Sequence, residues 1–213
     1  MNQLELSSST TPSGIEYLSC NTNGTRLLVF IHGWRDSASG WRWVIDDLNI
    51  DPSWKLIAVQ RRAVEQRGTG AAALLDEYAS QVIDVISDAS GPRSEIVLVG
   101  QSMGAAVAEL AAARLADRLS GLLLITPAPL GGTNVTPDVR LAYEASARDL
   151  SRVNTGLSRV ILAVNRSAEA QLRMILATPD ETEHSTLQTL SSWIDGHPAG
   201  HQPSSVAVPT RIV

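Results

Sequence analysis

The sequence predicts an α/β protein with a mostly parallel central sheet, helices on both faces of the sheet and an inserted helical cap. Short apolar runs alternate with stretches in which apolar residues recur at three- and four-residue steps, which is typical of strand–helix repeats. The runs are apolar throughout, as in strands that are buried on both faces. After about residue 138 the strand signal nearly disappears and helix signal dominates, which indicates an insertion.

Each predicted strand lies between residues that form turns. Two short segments, 4–6 and 15–20, open the chain and are separated by a Ser/Thr/Pro/Gly turn. Two helices are predicted from their apolar stripes, one across residues 75–86 and one across 103–111. Segment 160–164 is interpreted as helical. The remaining strands are predicted at 26–32, 54–59, 96–99, 122–125 and 206–213.

The length of 213 residues predicts one domain with an insertion. We divide it into a core at 1–132, a helical cap at 133–205 and a return to the core at 206–213.

Composition excludes several classes of protein. With 44% hydrophobic and 18% charged residues, the chain is not disordered. A net charge of -5 argues against a nucleic-acid partner, which needs clustered basic residues. Cys20 is the only cysteine, so no internal disulfide is possible, and we expect this residue to be a small buried hydrophobe or an idle thiol. The N-terminus lacks a signal-peptide pattern and no apolar run is long enough for a bilayer, so a cytoplasmic protein without a membrane partner is expected.

The strongest chemical signal is Gly100-x-Ser102-x-Gly104, placed between an apolar strand and a helix. A strand that turns sharply into a helix strains the residue at the turn, and its neighbours two positions away must be small. The hydroxyl of Ser102 would then lie at the carboxyl end of the sheet, above a helix N-terminus that favours negative charge. The motif predicts a nucleophile. The alternative is a serine that only caps the helix.

The second signal is His32-Gly33-Trp34, at the end of the strand predicted over 26–32. Gly33 permits a backbone angle at which a free N–H can point into a site. The alternative is an ordinary glycine at a strand end.

Together these motifs resemble the α/β-hydrolase superfamily, in particular its small capped serine hydrolases, which include esterases, lactonases and C–C hydrolases. Residues 122–129 resemble the strand before the cap, and 208–210 resemble the start of the strand after it. The resemblance implies that Ser102 attacks a carbonyl carbon and that the backbone N–H groups of Trp34 and Met103 hold the oxyanion. It implies no cofactor and no metal ion, and a small apolar ester-like substrate under the cap.

The chain departs from the family in two places. Loop 60–70 lacks the aspartate of the family's Asp-x-Arg-Gly-x-Gly pattern, and its arginines are interpreted as solvated, with contact to an anionic substrate as the alternative. The acid and histidine that usually follow the strand near 208 are not identifiable. We therefore expect a longer hydrolase, completed by a further C-terminal segment or a second polypeptide. The alternative is a catalytically inactive small-molecule binding protein or receptor.

The four histidines do not identify a general base. His32 is interpreted as structural, His184 as a solvated helix position, and His197 and His201 as loop residues. The spacing of the last two also occurs in zinc sites, but Pro198 and Gly200 between them favour a surface loop. No dinucleotide fingerprint or P-loop is present. The tryptophans Trp34, Trp41 and Trp43 either line an apolar pocket or pack the first helix onto the sheet.

Overall fold

The computed structural model of the chain describes residues 5–64, 70–91, 94–148 and 182–213. Within these ranges the backbone forms one seven-stranded sheet. The strands are β1 Ser7–Thr10, β2 Glu16–Cys20, β3 Arg26–Ile31, β4 Trp54–Val59, β5 Ile96–Gln101, β6 Leu119–Ile125 and β7 Thr210–Ile212.

Helices connect most of the strands. Among the described residues, the α-helices are α1 Arg42–Asp47, α2 Ala71–Ala89, α3 Met103–Leu115, α4 Pro137–Arg148 and α5 Glu183–Asp195. Short 3-10 helices cover Ala38–Trp41, Ala116–Arg118 and Pro198–His201. The predicted α/β alternation and the helical signal after residue 138 are confirmed where the structure describes them, while segment 160–164 lies outside the described residues.

The sheet is mixed and mostly parallel, with strand order β1-β2-β4-β3-β5-β6-β7. Strand β3 pairs in parallel with both β4 and β5, whereas β2 pairs antiparallel with β4 and with β1. Ile31 at the end of β3 is in register with Val59 of β4 and with Gly100 of β5. The loops that follow these three strands therefore meet at one edge of the sheet, where open α/β sheets bind ligands.

Both faces of the sheet are covered. In β3, Val29 and Ile31 belong to the core formed with α2 and α3, while Phe30 between them points into a second core on the opposite face. There the Phe30 ring lies 5.0 Å from the ring of Trp41, and Ile45 of α1 is fully buried. Buried side chains on both faces explain why the strands are apolar throughout.

Of the strand predicted at residues 4–6, residue 4 lies outside the described residues, and residues 5 and 6 are not in a strand, so the prediction is wrong there. The first strand in the described ranges is β1, in the Ser/Thr run for which the sequence predicts a turn, and it pairs with β2 from Ser7 opposite Ser19 to Thr10 opposite Glu16. The turn lies one step later, where Thr11 N donates to Ile15 O and Gly14 takes a φ of +89°. An edge strand needs only backbone hydrogen bonds on one side, so its side chains can be polar.

Two features bear on the composition argument. Cys20 is buried against Phe30 and Leu56 in the second core, as the sequence predicts, and burial raises the pKa of its thiol. Among the helices described, none is long and apolar enough to cross a membrane.

Candidate active site

The turn between β5 and α3 holds Ser102 in a strained conformation. Strand β5 ends at Gln101, α3 begins at Met103, and Ser102 between them has a φ of +54°. This left-handed region costs an L-residue roughly 1–2 kcal/mol, and strain of this kind concentrates at functional sites. The predicted strand–turn–helix context is confirmed.

The two glycines of the motif are required by close packing. A Cβ atom on Gly100 would lie 2.5 Å from Gly104 O and 2.6 Å from Ala105 Cα. A Cβ atom on Gly104 would overlap the backbone oxygen of Ile31 and lie 2.6 Å from that of His32. Helix α3 therefore rests directly on the end of β3, as the small residues at these positions predict.

The loop that follows β3 faces Ser102. A Cβ atom on Gly33 would lie 3.1 Å from Ser102 Cβ and 2.5 Å from Gln101 Oε1, so this glycine leaves room for the serine. Met103 is the first residue of α3, and the N–H groups of a first helical turn have no acceptor within the helix. Of the two residues predicted to form the oxyanion hole, Met103 thus follows Ser102 directly in the chain. Trp34 follows Gly33, which faces Ser102 from the neighbouring strand end.

The side chain of Trp34 packs against helices α4 and α5. Its indole Nε1 donates to Thr186 O at 3.1 Å. Its ring centroid lies 6.0 Å from those of Tyr143 and Trp193, which lie 5.3 Å from each other edge to face. We call Trp34, Tyr143 and Trp193 the aromatic trio. Trp41 packs in the core against Phe30, which confirms the packing interpretation for that residue, whereas a tryptophan-lined pocket stays a prediction.

Helix α5 also contacts the first residue of α3. Ser192 Oγ lies 3.7 Å from Met103 Sδ, and both residues are buried. One turn earlier, Thr189 Oγ1 and Tyr78 Oη of α2 lie 3.1 Å apart. Helix α5 therefore touches both residues, Trp34 and Met103, whose backbone N–H groups are predicted to hold an oxyanion.

A buried polar cluster lies behind the loop after β3. Arg61 follows β4, is only 6% exposed, and donates from Nη2 to Gly33 O at 2.7 Å. The same nitrogen lies 2.9 Å from His32 Nδ1. The interpretation of the arginines in loop 60–70 as solvated is therefore wrong for Arg61. The ends of β3 and β4 are adjacent, so the loop after β3 covers this side chain. Arg62 is exposed, as predicted, and residues 65–69 lie outside the described ranges.

His32 is buried and neutral. Burial, followed by the charge of Arg61, holds its pKa well below the usual 6.5, against a smaller opposite effect of the hydrogen bond with Gly33 O. The structural role predicted for His32 agrees with this environment.

This burial predicts a pH-dependent stability. The unfolded chain binds a proton at His32 near pH 6.5 and the folded chain does not, so acid favours unfolding. We expect the free energy of unfolding to fall by up to about 1.4 kcal/mol per pH unit below this value. Urea unfolding at several values between about pH 7.5 and about pH 5.5 measures this slope.

The pH range of this measurement ends at about 5.5 because burial raises the pKa values of Asp36 and Glu109. In stronger acid these two carboxyls bind protons more readily in the folded chain, which raises the free energy of unfolding and opposes the effect of His32. His32→Asn should flatten the slope, whereas His184→Asn, an exposed position on α5, should retain it. An unchanged slope in His32→Asn would contradict the assignment.

None of the four histidines hydrogen-bonds to the Ser102 hydroxyl in the part of the chain that the structure describes. His32 contacts Arg61, and His184 and His201 are exposed. His197 Nε2 lies 3.3 Å from Asp76 Oδ2, and its Nδ1 accepts from Ala199 N. Asp76 also pairs with Arg114 of α3. The His197–Asp76 pair thus ties the Pro198–His201 turn to α2.

Within the described ranges, no three His, Cys, Asp or Glu side chains come together as a metal site would require. His197 is engaged by Asp76, so the spacing of His197 and His201 reflects a turn.

Sequence reasoning missed the residues that meet the predicted motifs from other parts of the chain. Arg61 has one local signal, since it follows a buried strand whose end lies beside that of β3. Tyr143, Trp193 and Thr186 have none, because their contacts with Trp34 depend on how α4 and α5 pack.

Comparisons with known proteins agree with this architecture. The sequence profile described as "Alpha/beta hydrolase family" matches residues 28–207. Among solved structures, an esterase from Exiguobacterium antarcticum is 19% identical with a TM-score of 0.74, over 97% of this chain and 79% of that one. The 2-hydroxy-6-oxo-6-phenylhexa-2,4-dienoate hydrolase from Rhodococcus sp. strain RHA1 is 18% identical, with a TM-score of 0.71 over 98% and 80%.

A bromoperoxidase from Bacillus anthracis is 16% identical, with a TM-score of 0.72 over 97% of this chain and 80% of that one. No curated protein sequence matches significantly. At these identities the structural likeness concerns the fold.

Proposed function

This chain belongs to the alpha/beta hydrolase family, and from that membership we propose that it is a serine hydrolase that cleaves a carboxylic ester, a lactone or a related carbonyl substrate. The observation that carries the proposal is the conformation of Ser102. Its φ of +54° and its position opposite Gly33 hold a hydroxyl at the carboxyl edge of the sheet, at the N-terminus of α3.

In the proposed reaction, Ser102 Oγ attacks the carbonyl carbon and its proton passes to a general base. The backbone N–H groups of Trp34 and Met103 donate to the oxygen as it becomes negative, and the oxyanion is stabilised by preorganised donors. Collapse of this intermediate expels the alcohol and leaves an acyl-serine, which water hydrolyses. The position of the general base is the part of the site that the described residues do not supply.

We further propose that residues 133–205 form a cap that roofs this site. The aromatic trio and the contact between Ser192 and Met103 support it, because both join cap helices to the oxyanion loop or the nucleophile turn. The Tyr143 side chain is partly exposed and adds an apolar, aromatic surface to the cap. A small apolar ester is the substrate class that we propose.

Covalent labelling tests the proposal. An ethoxyfluorophosphonate should add once to the full-length protein, assayed with any further C-terminal segment or second polypeptide that completes it, and peptide mapping should place the adduct on Ser102. Ser102→Ala should not label, whereas Ser87→Ala, an exposed serine on α2, should label like the parent. A parent protein that acquires no adduct, or an adduct that persists in Ser102→Ala, would contradict a nucleophilic Ser102.

The alternative is an inactive small-molecule binding protein. In its favour, no histidine of the described ranges hydrogen-bonds to the Ser102 hydroxyl. It predicts that p-nitrophenyl acetate raises the melting temperature without being hydrolysed. Sustained release of p-nitrophenol would exclude this alternative.

A further inference from the structure

Arg61 is a buried cation directly behind the proposed oxyanion hole. It is 6% exposed and lies in the loop after β4, beside the end of β3. Its guanidinium stacks 4.9 Å from the ring centroid of Tyr78. Burying a cation costs several kcal/mol unless its surroundings compensate, so the contacts that hold it there matter.

Arg61 holds one peptide group by a short hydrogen bond. Its Nη2 donates to Gly33 O at 2.7 Å, and the same nitrogen lies 2.9 Å from His32 Nδ1. His32 Nδ1 is also 2.9 Å from Gly33 O. The neutral imidazole accepts from Arg61 in one tautomer and donates to Gly33 O in the other, and in both cases the Gly33 oxygen accepts a hydrogen from Arg61.

The carbonyl of Gly33 and the N–H of Trp34 belong to the same peptide group. This group is planar and trans, so its C=O and N–H bonds point in opposite directions. A donor that holds the oxygen from behind therefore fixes the direction of the N–H in front. A charged donor also polarises the group, which makes its N–H a stronger hydrogen-bond donor.

We infer that Arg61 is a positioning residue of the oxyanion hole: its guanidinium fixes and polarises the Gly33–Trp34 peptide, whose N–H stabilises the oxyanion. This inference rests on the proposed function, because it needs a transition state that carries negative charge. The charge of Arg61 then acts through one peptide group on the oxyanion, in a buried region where electrostatic effects are large.

The buried neighbours are consistent with a cation whose field reaches this peptide. Burial and then the charge of Arg61 lower the pKa of His32, so the imidazole adds no second positive charge. The pKa of Asp36 is raised by burial, with the backbone N–H of Ser37 and then Arg61 acting to lower it.

The kinetic test compares two arginines of the same loop. Arg61→Met should lower kcat for p-nitrophenyl acetate by about 10- to 100-fold with KM changed less than about twofold, since the loss falls on the transition state alone. Arg61→Lys, which keeps the charge but lacks the planar fork, should recover part of that loss. The control is Arg62→Met, because Arg62 is exposed and donates to Ser13 O, so it should behave like the parent.

A second measurement does not depend on turnover. In the ¹⁵N- and ¹³C-labelled protein, Arg61→Met should shift the Trp34 amide nitrogen and the Gly33 carbonyl carbon, while Arg62→Met should leave both in place. If Arg61→Met does not fold, Arg61→Lys is measured by both methods, and its kcat should fall in proportion to the shift of the Trp34 amide.

The outcomes separate the inference from the function on which it rests. A folded Arg61 variant that shifts the Gly33 carbonyl but keeps kcat within twofold of Arg62→Met overturns the inference and leaves the hydrolase intact. Unshifted Gly33 and Trp34 signals overturn it as well, because the contact is then absent. A full-length parent protein, assayed with any segment or polypeptide that completes it, overturns the proposed function itself if it neither hydrolyses the ester nor labels at Ser102.

Discussion

Replacing Ser102 with Ala or Gly should lower the hydrolysis of p-nitrophenyl acetate by at least about 10³-fold, since both variants lack the nucleophile and keep only binding and oxyanion stabilisation. The two variants should differ in stability. Alanine keeps a Cβ atom at a φ of +54°, whereas glycine occupies this region freely. Relief of about 1–2 kcal/mol of strain exceeds the roughly 0.5–1 kcal/mol that glycine loses through chain entropy.

The glycine variant is therefore expected to be the more stable of the two, by up to about 1 kcal/mol. Urea unfolding at one pH measures the difference, and ester turnover is followed on the same samples. Because both variants lose the hydroxyl, their comparison isolates the backbone strain from the chemistry. An alanine variant at least as stable as the glycine variant would mean that the turn at Ser102 stores no strain.

The parts of this fold that the sequence predicts are those that depend on residues close together in the chain. The apolar run that becomes β4 and the periodic stripe that becomes α2 are both local, and both were located within a few residues. The nucleophile turn is local too, since Gly100 and Gly104 are needed by the sharp change from β5 to α3. Resemblance to a family then added the roles of Trp34 and Met103.

Strand β1 is not predicted because its Ser/Thr run has the composition of a turn, although the adjacent strand β2 pairs with it through backbone hydrogen bonds. The other features that the sequence does not predict depend on partners distant in sequence. Arg61 looks solvated in its own loop and is buried because β3 brings Gly33 and His32 beside it. The partners of Trp34 come from helices more than a hundred positions later in the chain. A single sequence carries no signal for these contacts of Trp34.

The largest effect on stability is expected from Gly104. At this residue, helix α3, which follows the nucleophile turn, touches the end of β3, which precedes the oxyanion loop. The Cβ atom of Gly104→Ala would overlap the backbone oxygen of Ile31 and crowd that of His32. Backbone atoms of a central strand cannot rotate away as a side chain does, so α3 and β3 must separate. We expect a loss of about 3 kcal/mol or more in unfolding free energy, at the upper end of overpacking effects.

A loss of this size is a large share of the 5–15 kcal/mol that stabilises typical domains, so Gly104→Val should fail to accumulate as folded protein. The matched control is Gly121→Ala in β6, where the added methyl meets Val97 side-chain atoms at an ordinary 3.5 Å and no change beyond about 1 kcal/mol is expected. Urea unfolding of the two alanine variants gives the comparison. If Gly104→Ala were as stable as Gly121→Ala, α3 would not rest on the end of β3. The close approach of Ser102 and Gly33, on which the proposed oxyanion hole depends, would then lose its structural basis.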